Sequence, residues 1–259
     1  KHTGVSIYDI PHASKTIPQD ILESFVLTES ELRSELNRMT DSHTEELFAV
    51  SHPLASAILY PVSRLVVDPE RFENDEDEPM SQKGMGIVYT KTSSGDNLRK
   101  TISSKQRDSL IQSHYIPHQE KLAKSVANAI RAHGFCLIID CHSFSSMPLP
   151  YEFDQSRYRP DICIGTDEFH TPIWVKESVV NLFTEHRFRV ELNRPFSGTM
   201  VPAIYYRSNP AVHSVMIEVN RSLYMNEDTG LKRRKFDHLS SMLHTIIQSL
   251  IGKACERTN

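Results

Sequence analysis

Along this chain, short unbroken apolar runs alternate with longer stretches of helical period. "VSIYDI" reads as a first strand, stopped by Pro11. "TESELRSELNRM" opens with Thr28 and Glu31 at capping-box spacing and predicts a helix; Ser42 and Glu45 in "SHTEELFAV" repeat the device. "SRLVVD" at 63–68 fits a short buried strand. In "IPHQEKLAKSVANAIRAHG", Leu122, Val126 and Ile130 share one face and Gly134 marks the helix end. "FCLIID" follows without polar alternation, as expected of a strand covered on both faces.

The second half repeats this grammar. "TPIWVKESVVNLFTEH" is helical, while "FRVELN" and "SVMIEVN" are strand-like. A last helix over roughly 231–251 carries Leu239, Leu243, Ile246, Ile247 and Leu250 on one stripe. The alternation predicts an α/β fold: one domain spanning residues 1–259, with a mixed, mostly parallel sheet flanked by helices. In such sheets the carboxyl ends of the strands form the ligand crevice.

Composition narrows the class. With 259 residues, 39% of them hydrophobic, the chain can bury a sizeable core. A formal charge of −4 gives no reason to expect nucleic acid or an anionic membrane as partner. No apolar run approaches the roughly 18–20 residues of a membrane span, and "KHTGVSIYDIPHAS" lacks the long apolar stretch of a signal peptide. Cys136, Cys141, Cys163 and Cys255 are scattered without CxxC spacing, which suits a reducing compartment and makes cytoplasm the expectation. The acidic run "DPERFENDEDEP" reads as a solvated loop. Trp174 and the aromatic "AIYYR" at 203–207 read as core packing.

Candidate chemistry gathers where the apolar runs end. "SIYDI" leads into His12, "RLVVD" ends in Asp68 with Arg71 behind, and "LIID" ends in Asp140-Cys141-His142. "RVELN" ends in Asn193-Arg194, and "VMIEVNR" carries Glu218, Asn220 and Arg221. On parallel strands these ends share one rim, which is the geometry of a metal-centred site. Taken singly, each has a bland reading: His12 or His142 as a surface histidine, Glu45 as a helix cap, Arg64 and Arg71 as partners of the acidic loop. Glu218 is harder to dismiss, because a charge between Ile217 and Val219 is costly to bury without a partner or a task. No HExxH or CxxC zinc motif is present. The residues alone reach an α/β metal hydrolase.

The ordered set "PHAS", "DSHTEELF", "SRLVVDPERF", "YIPHQEKL", "LIIDCHSFSSMPLP", "DICIGT", "ELNRPFSGT" and "IEVNRSLYM" resembles the N-formylglutamate amidohydrolase family, across roughly residues 5–226. The family's fold is similar to that of zinc carboxypeptidases and aspartoacylases. The resemblance implies one zinc held by His12, His142 and a carboxylate, Asp41 with Glu45 as the competitor. It implies Glu218 as general base to a metal-activated water, Arg64 on the scissile carbonyl, and Arg71, Asn193 and Arg194 on substrate carboxylates. Asp140, two residues before His142, projects to the same side of an extended strand and is expected to orient it.

The activity so implied is hydrolysis of an N-acyl amino acid, N-formylglutamate first, to formate and glutamate. Another N-acyl amino acid, a γ-glutamyl or peptide bond, or a non-catalytic binding role on the same scaffold are the alternatives. The family's usual "DLNR" is "DPER" here, which places Glu70 beside Arg71. "NRPFSGT" also lacks a second glycine and a tyrosine hydroxyl, and "DSH" replaces a common "DWH". An extra negative charge at Glu70 would oppose a dicarboxylate if it faced the pocket.

Overall fold

The computed structural model describes residues 4–257, so the first three residues of the N-terminal stretch read above lie outside the described residues. Six strands form one sheet in the order β2-β1-β3-β6-β4-β5: β1 (Ser6–Ile10), β2 (Ala55–Leu59), β3 (Cys136–Phe144), β4 (Ile162–Gly165), β5 (Val190–Leu192) and β6 (Val212–Asn220). Strands β2, β1, β3 and β6 run parallel, β4 lies antiparallel to β6, and β5 follows β4 in parallel. Helices are α1 (Gln19–Leu22), α2 (Glu29–Met39), α3 (Thr44–Phe48), α4 (Ser104–Leu110), α5 (Ile116–His133), α6 (Ile173–Glu185) and α7 (Phe236–Cys255). The mixed, mostly parallel α/β architecture is the one the alternating pattern predicts.

Strand alternation assigns each residue to a face. Leu137, Ile139, Cys141, Val215, Ile217 and Val219 pack in one apolar cluster with α6 and α7. Ile7, Cys136, Ile138 and Val212 point the other way, against Leu122, Val126 and Ala129 of α5. Asp140, His142 and Glu218 share that second parity, so they stand on the α5 face, past the last apolar layer. Helix α5 ends at Gly134 in the left-handed conformation (φ 82°), as its glycine predicts.

The capping box of Thr28 and Glu31 forms at the start of α2. The second expected box does not: α3 starts from His43, in the left-handed region at φ 69° with no side-chain cap. Its imidazole Nε2 instead approaches Gly230 O at 2.9 Å.

"SRLVVD" is not a strand. Leu65, Val66 and Val67 are fully buried in a separate cluster with Met85, Ile87 and Tyr89. The buried Arg99 guanidinium donates to the carbonyls of Leu65 and Val66, where a neighbouring strand would have. Edge strand β2 comes instead from "ASAIL", whose mixed burial hides its strand character. The last helix begins at Phe236, five residues later than the apolar stripe suggests.

Trp174 packs edge-on against Phe135 and His213, as expected of a core residue. The "AIYYR" segment is only half core: Tyr205 and Tyr206 pack against the α5 cluster, while Ile204 is 72% exposed.

Candidate active site

The parallel strands β1 and β3 deliver His12 and His142 to the same rim, and the two rings meet there. His12 Nδ1 and His142 Nδ1 are 3.2 Å apart. Asp41 Oδ2 completes a triangle, 3.1 Å from the His142 nitrogen and 3.7 Å from the His12 nitrogen. A backbone bond from Asp41 N to His12 O (2.9 Å) keeps this carboxylate beside the first strand's exit. Its other oxygen accepts from Arg221 Nη2 at 2.7 Å.

The far edges of both rings are committed to carboxylates. His12 Nε2 lies 2.9 Å from Asp68 Oδ1, and His142 Nε2 lies 2.7 Å from Asp140 Oδ1. Asp140 is fixed in turn by Met200 N, which donates to its Oδ2 at 2.8 Å. Fully buried Asp68 accepts from Arg64 Nη2 (2.8 Å), Tyr89 Oη (2.6 Å) and Glu70 N (3.1 Å). Each carboxylate takes an Nε2 proton and so turns an Nδ1 lone pair inward. In that tautomer three lone pairs converge from His12, His142 and Asp41, and the three atoms could hold a cation.

Electrostatics carry the same message. Burial and Arg64 push the His12 imidazole down, but Asp68, Glu70 and Asp41 outweigh them and its pKa ends raised. Burial also lowers His142, yet Asp140, Glu70 and Asp41 hold it well above the ordinary value. Asp41 is held well below the usual carboxylate range: burial raises it, and its bonds from His12, His142 and Arg221 reverse that. Without a metal, the carboxylates around the two rings favour protonated imidazoles, which shows how negative the surroundings are; a bound cation would take the place of the Nδ1 protons.

A second carboxylate competes for the histidines. Glu70 lies 3.2 Å from His142 Nε2 and 3.5 Å from His12 Nε2. His12, Glu70 and His142 thus form a buried or half-buried group whose ligand atoms fall within 4.8 Å of one another and could hold a metal. Glu70 faces the outer ring edges, already engaged by Asp68 and Asp140, whereas Asp41 faces the inner ones. Burial and the neighbouring Asp140 charge raise the Glu70 pKa.

Glu218 is the direct neighbour of His142 in the β3–β6 register, a strand spacing of about 4.8 Å away. It is 7% exposed, and its Oε2 is buried without a hydrogen-bond partner among the described residues. Burial pushes its pKa up to about 8; Asp41 and Asp140 add to the rise, while His142 and Arg221 oppose it. A buried carboxylate with a free oxygen beside a cation site is equipped to take a proton.

A cavity of about 300 Å³ opens onto these groups, lined among others by His12, Asp41, Arg64, His142, Glu218 and Arg221. Arg38 and Arg71 stand on its wall too. Their nearest acids are at 3.9 Å (Glu35) and 3.5 Å (Asp68), so both retain capacity for an anion. Arg64 uses Nε and Nη2 on Asp68 and Tyr89, which leaves Nη1 for the cavity.

The structure therefore brings His12, Asp41, Arg64, Arg71, Asp140, His142 and Glu218 together. It does not bring Glu45, Asn193 or Arg194. Glu45 is exposed on α3. Strand β5 runs against β6, and Asn193 and Arg194, just past its end, are not among the residues lining the cavity, although Pro195, Phe196 and Ser197 after them are. Asn193 bonds Thr166, and Arg194, half exposed, pairs with Asp154 at 2.9 Å. Sequence reasoning named Asp68 and Arg221 at the ends of apolar runs but gave them no role, and it missed Arg38; the structure places Asp68 behind His12, Arg221 behind Asp41 and Arg38 on the cavity wall. Asp68 and Arg221 each end an apolar run, and that is their one visible signal.

Comparisons with known proteins show the family to which the chain belongs. The model of the N-formylglutamate amidohydrolase family matches residues 6–225. N-formylglutamate deformylase of Pseudomonas putida is 25% identical over 261 residues, covering 97% of this chain and 94% of that protein. The Pseudomonas aeruginosa protein of the same name is 24% identical over 227 residues, covering 84% of each. Among solved structures, the N-formylglutamate amidohydrolase of Ralstonia eutropha JMP134 superimposes with a TM-score of 0.81 at 18% identity, covering 98% of this chain and 95% of that one. An Agrobacterium tumefaciens gene product gives 0.65 at 19% identity, covering 97% and 92%. The chain belongs to the N-formylglutamate amidohydrolase family of hydrolytic enzymes.

Proposed function

We propose that this chain is one catalytic unit: a zinc-dependent amidohydrolase that cleaves N-acylated acidic amino acids, N-formylglutamate first, to the free acid and the amino acid. The observation that carries the reading is the triangle of His12 Nδ1, His142 Nδ1 and Asp41 Oδ2, with edges of 3.2, 3.1 and 3.7 Å. Zinc–ligand distances of about 2.0–2.1 Å in a tetrahedron require edges of about 3.3 Å. The donor set, two imidazoles and a carboxylate, suits zinc and leaves a fourth position open. Bound there, the ion would supply Lewis acidity and lower the pKa of a water toward about 7.

The protein's own groups do the rest. Glu218 takes a proton from the attacking water and passes it to the leaving nitrogen. Arg64 Nη1 stabilises charge developing on the carbonyl oxygen. Arg38 and Arg71 hold the two carboxylates of the amino acid, for which guanidinium is well shaped. Asp68, Asp140 and Arg221 keep the ligand atoms aimed inward. The relatives named N-formylglutamate deformylase support formyl as the acyl group.

A second ligand set, with Glu70 in place of Asp41, is favoured by its proximity to both Nε2 atoms. It requires Asp68 and Asp140 to give up bonds of 2.9 and 2.7 Å, so we place it second. The reading is tested by formate release from N-formylglutamate, with and without chelator and restored zinc. Chelator-sensitive release is expected; turnover that survives complete metal removal contradicts it.

A further inference from the structure

A second cavity, of about 470 Å³, opens beside the first. Glu70, Arg71, Glu78, Pro79, Ser197 and Met216 border both, so the two cavities adjoin. A formyl group is one carbon with its oxygen, and its hydrolysis makes no use of this added space.

The two cavities differ in their balance of charge. The first is lined by Arg38, Arg64, Arg71 and Arg221 against Asp41, Glu70, Glu78, Glu152 and Glu218, with Asp41 paired to Arg221 at 2.7 Å. The second has Arg71 alone, set against Glu70, Glu78, Asp140 and Asp167. Substrate carboxylates therefore belong in the first cavity and are repelled from the second. With the amino acid so placed, the second cavity receives the acyl side.

Its wall also states which acyl groups fit. Phe72 and Tyr206 contribute aromatic surface, their ring centroids 5.6 Å apart. Gln119, on α5, donates from Nε2 to Pro69 O at 2.8 Å. A carbonyl only accepts, so this bond fixes the amide's orientation. Gln119 Oε1 is left buried with no hydrogen-bond partner among the described residues. An orphan acceptor on an acidic wall calls for an N–H donor.

We propose that the second cavity is an acyl subsite for acyl groups that carry an amine or amide N–H. A dipeptide ending in an acidic residue, with glycyl-glutamate the simplest, is then a substrate class beside the N-formyl amino acids. The proposal rests on the amidohydrolase reading above. In the reaction the peptide C–N bond breaks, the water's hydroxyl goes to the glycyl carbonyl carbon, and its proton goes to the glutamate nitrogen.

The test measures kcat/KM of the zinc-loaded chain for N-formylglutamate and glycyl-glutamate, in wild type, Ala203→Trp and Gln119→Leu. Ala203 belongs to the wall of the second cavity alone. We expect glycyl-glutamate to be hydrolysed, and Ala203→Trp to lower its kcat/KM at least tenfold while N-formylglutamate stays within twofold. Gln119→Leu should lower the ratio of glycyl- to formyl-glutamate turnover at least fivefold. N-formylglutamate turnover without glycyl-glutamate turnover overturns the subsite and leaves the amidohydrolase reading standing. If neither is hydrolysed, the amidohydrolase reading fails, and calorimetry on zinc-loaded Glu218→Gln decides the subsite. Tighter binding of glycyl-glutamate than of N-formylglutamate, lost on adding Gln119→Leu, supports it; equal binding of the two overturns it.

Discussion

Replacing Glu218 by Gln keeps the side chain's shape and removes its charge, which gives two separable expectations. The first concerns stability of the metal-free protein. Glu218 titrates near 8 in the fold, against 4.5 for the ordinary group. The native state therefore holds a proton that the unfolded chain releases first, and stability falls as pH rises from about 4.5 to 8. A tenfold change in proton affinity corresponds to about 1.36 kcal/mol, so the loss attributable to this one buried carboxylate is roughly 2–5 kcal/mol. The group is 7% exposed, so solvent screening removes little of it. Urea unfolding of chelator-stripped wild type and Glu218→Gln at pH 5 and pH 9 isolates the contribution, because the other titrating groups are common to both. The variant should gain on the wild type between those pH values. The second expectation is catalytic: loss of a general base costs about 10²–10⁴ in kcat, with zinc still bound one per chain. Activity within tenfold of wild type would refute Glu218 as the base, and an unchanged stability difference between pH 5 and pH 9 would refute its burial as the cause of the raised pKa.

Asp140→Asn weakens the partner that fixes His142, and zinc affinity should fall about 10- to 100-fold, read by competition with a chromophoric chelator. Arg38→Met should raise KM for N-formylglutamate at least tenfold with kcat held, yet leave an N-formyl amino acid with a neutral side chain unaffected; Arg194→Ala should change neither constant by more than twofold. His118 faces Asp9 at 3.1 Å, and although burial lowers its pKa, the Asp9 carboxylate more than reverses this. The ion pair's contribution, about 1.5–3 kcal/mol for a charged hydrogen bond, is fully present below about pH 6.5 and is lost as pH rises through the raised value. His118→Asn should accordingly cost more stability at pH 6 than at pH 9 in urea unfolding.

Much of this site lies in strand periodicity. Asp140 and His142 share a parity on β3, so their cooperation follows from alternation alone, and Glu218 joins them because β3 and β6 pair in parallel. Strand direction is not legible in the same way. Nothing within "FRVELN" tells that β5 follows an antiparallel β4, or that the Asn193 and Arg194 side chains are taken up by Thr166 and Asp154. "SRLVVD" shows the limit of a short apolar run: it is buried as its apolarity predicts, but its carbonyls are met by Arg99, more than thirty residues downstream. The same limit hides Asp68, which looks like the end of a strand and is in fact held in a loop by Arg64, Tyr89 and His12. Glu70 stands out in the sequence as a departure from the family's pattern, but only the fold turns it toward the histidines.

The central claim is that His12, His142 and Asp41 form the ion's cradle, with Glu70 outside it. Zinc titration of the stripped protein by calorimetry, in wild type, Asp41→Asn and Glu70→Gln, tests it most directly. The account predicts one zinc per wild-type chain, affinity at least 100-fold weaker in Asp41→Asn, and Glu70→Gln within tenfold of wild type. The reverse ranking would move the metal to the outer ring edges, and a wild-type chain that takes up no zinc would contradict the account at its root.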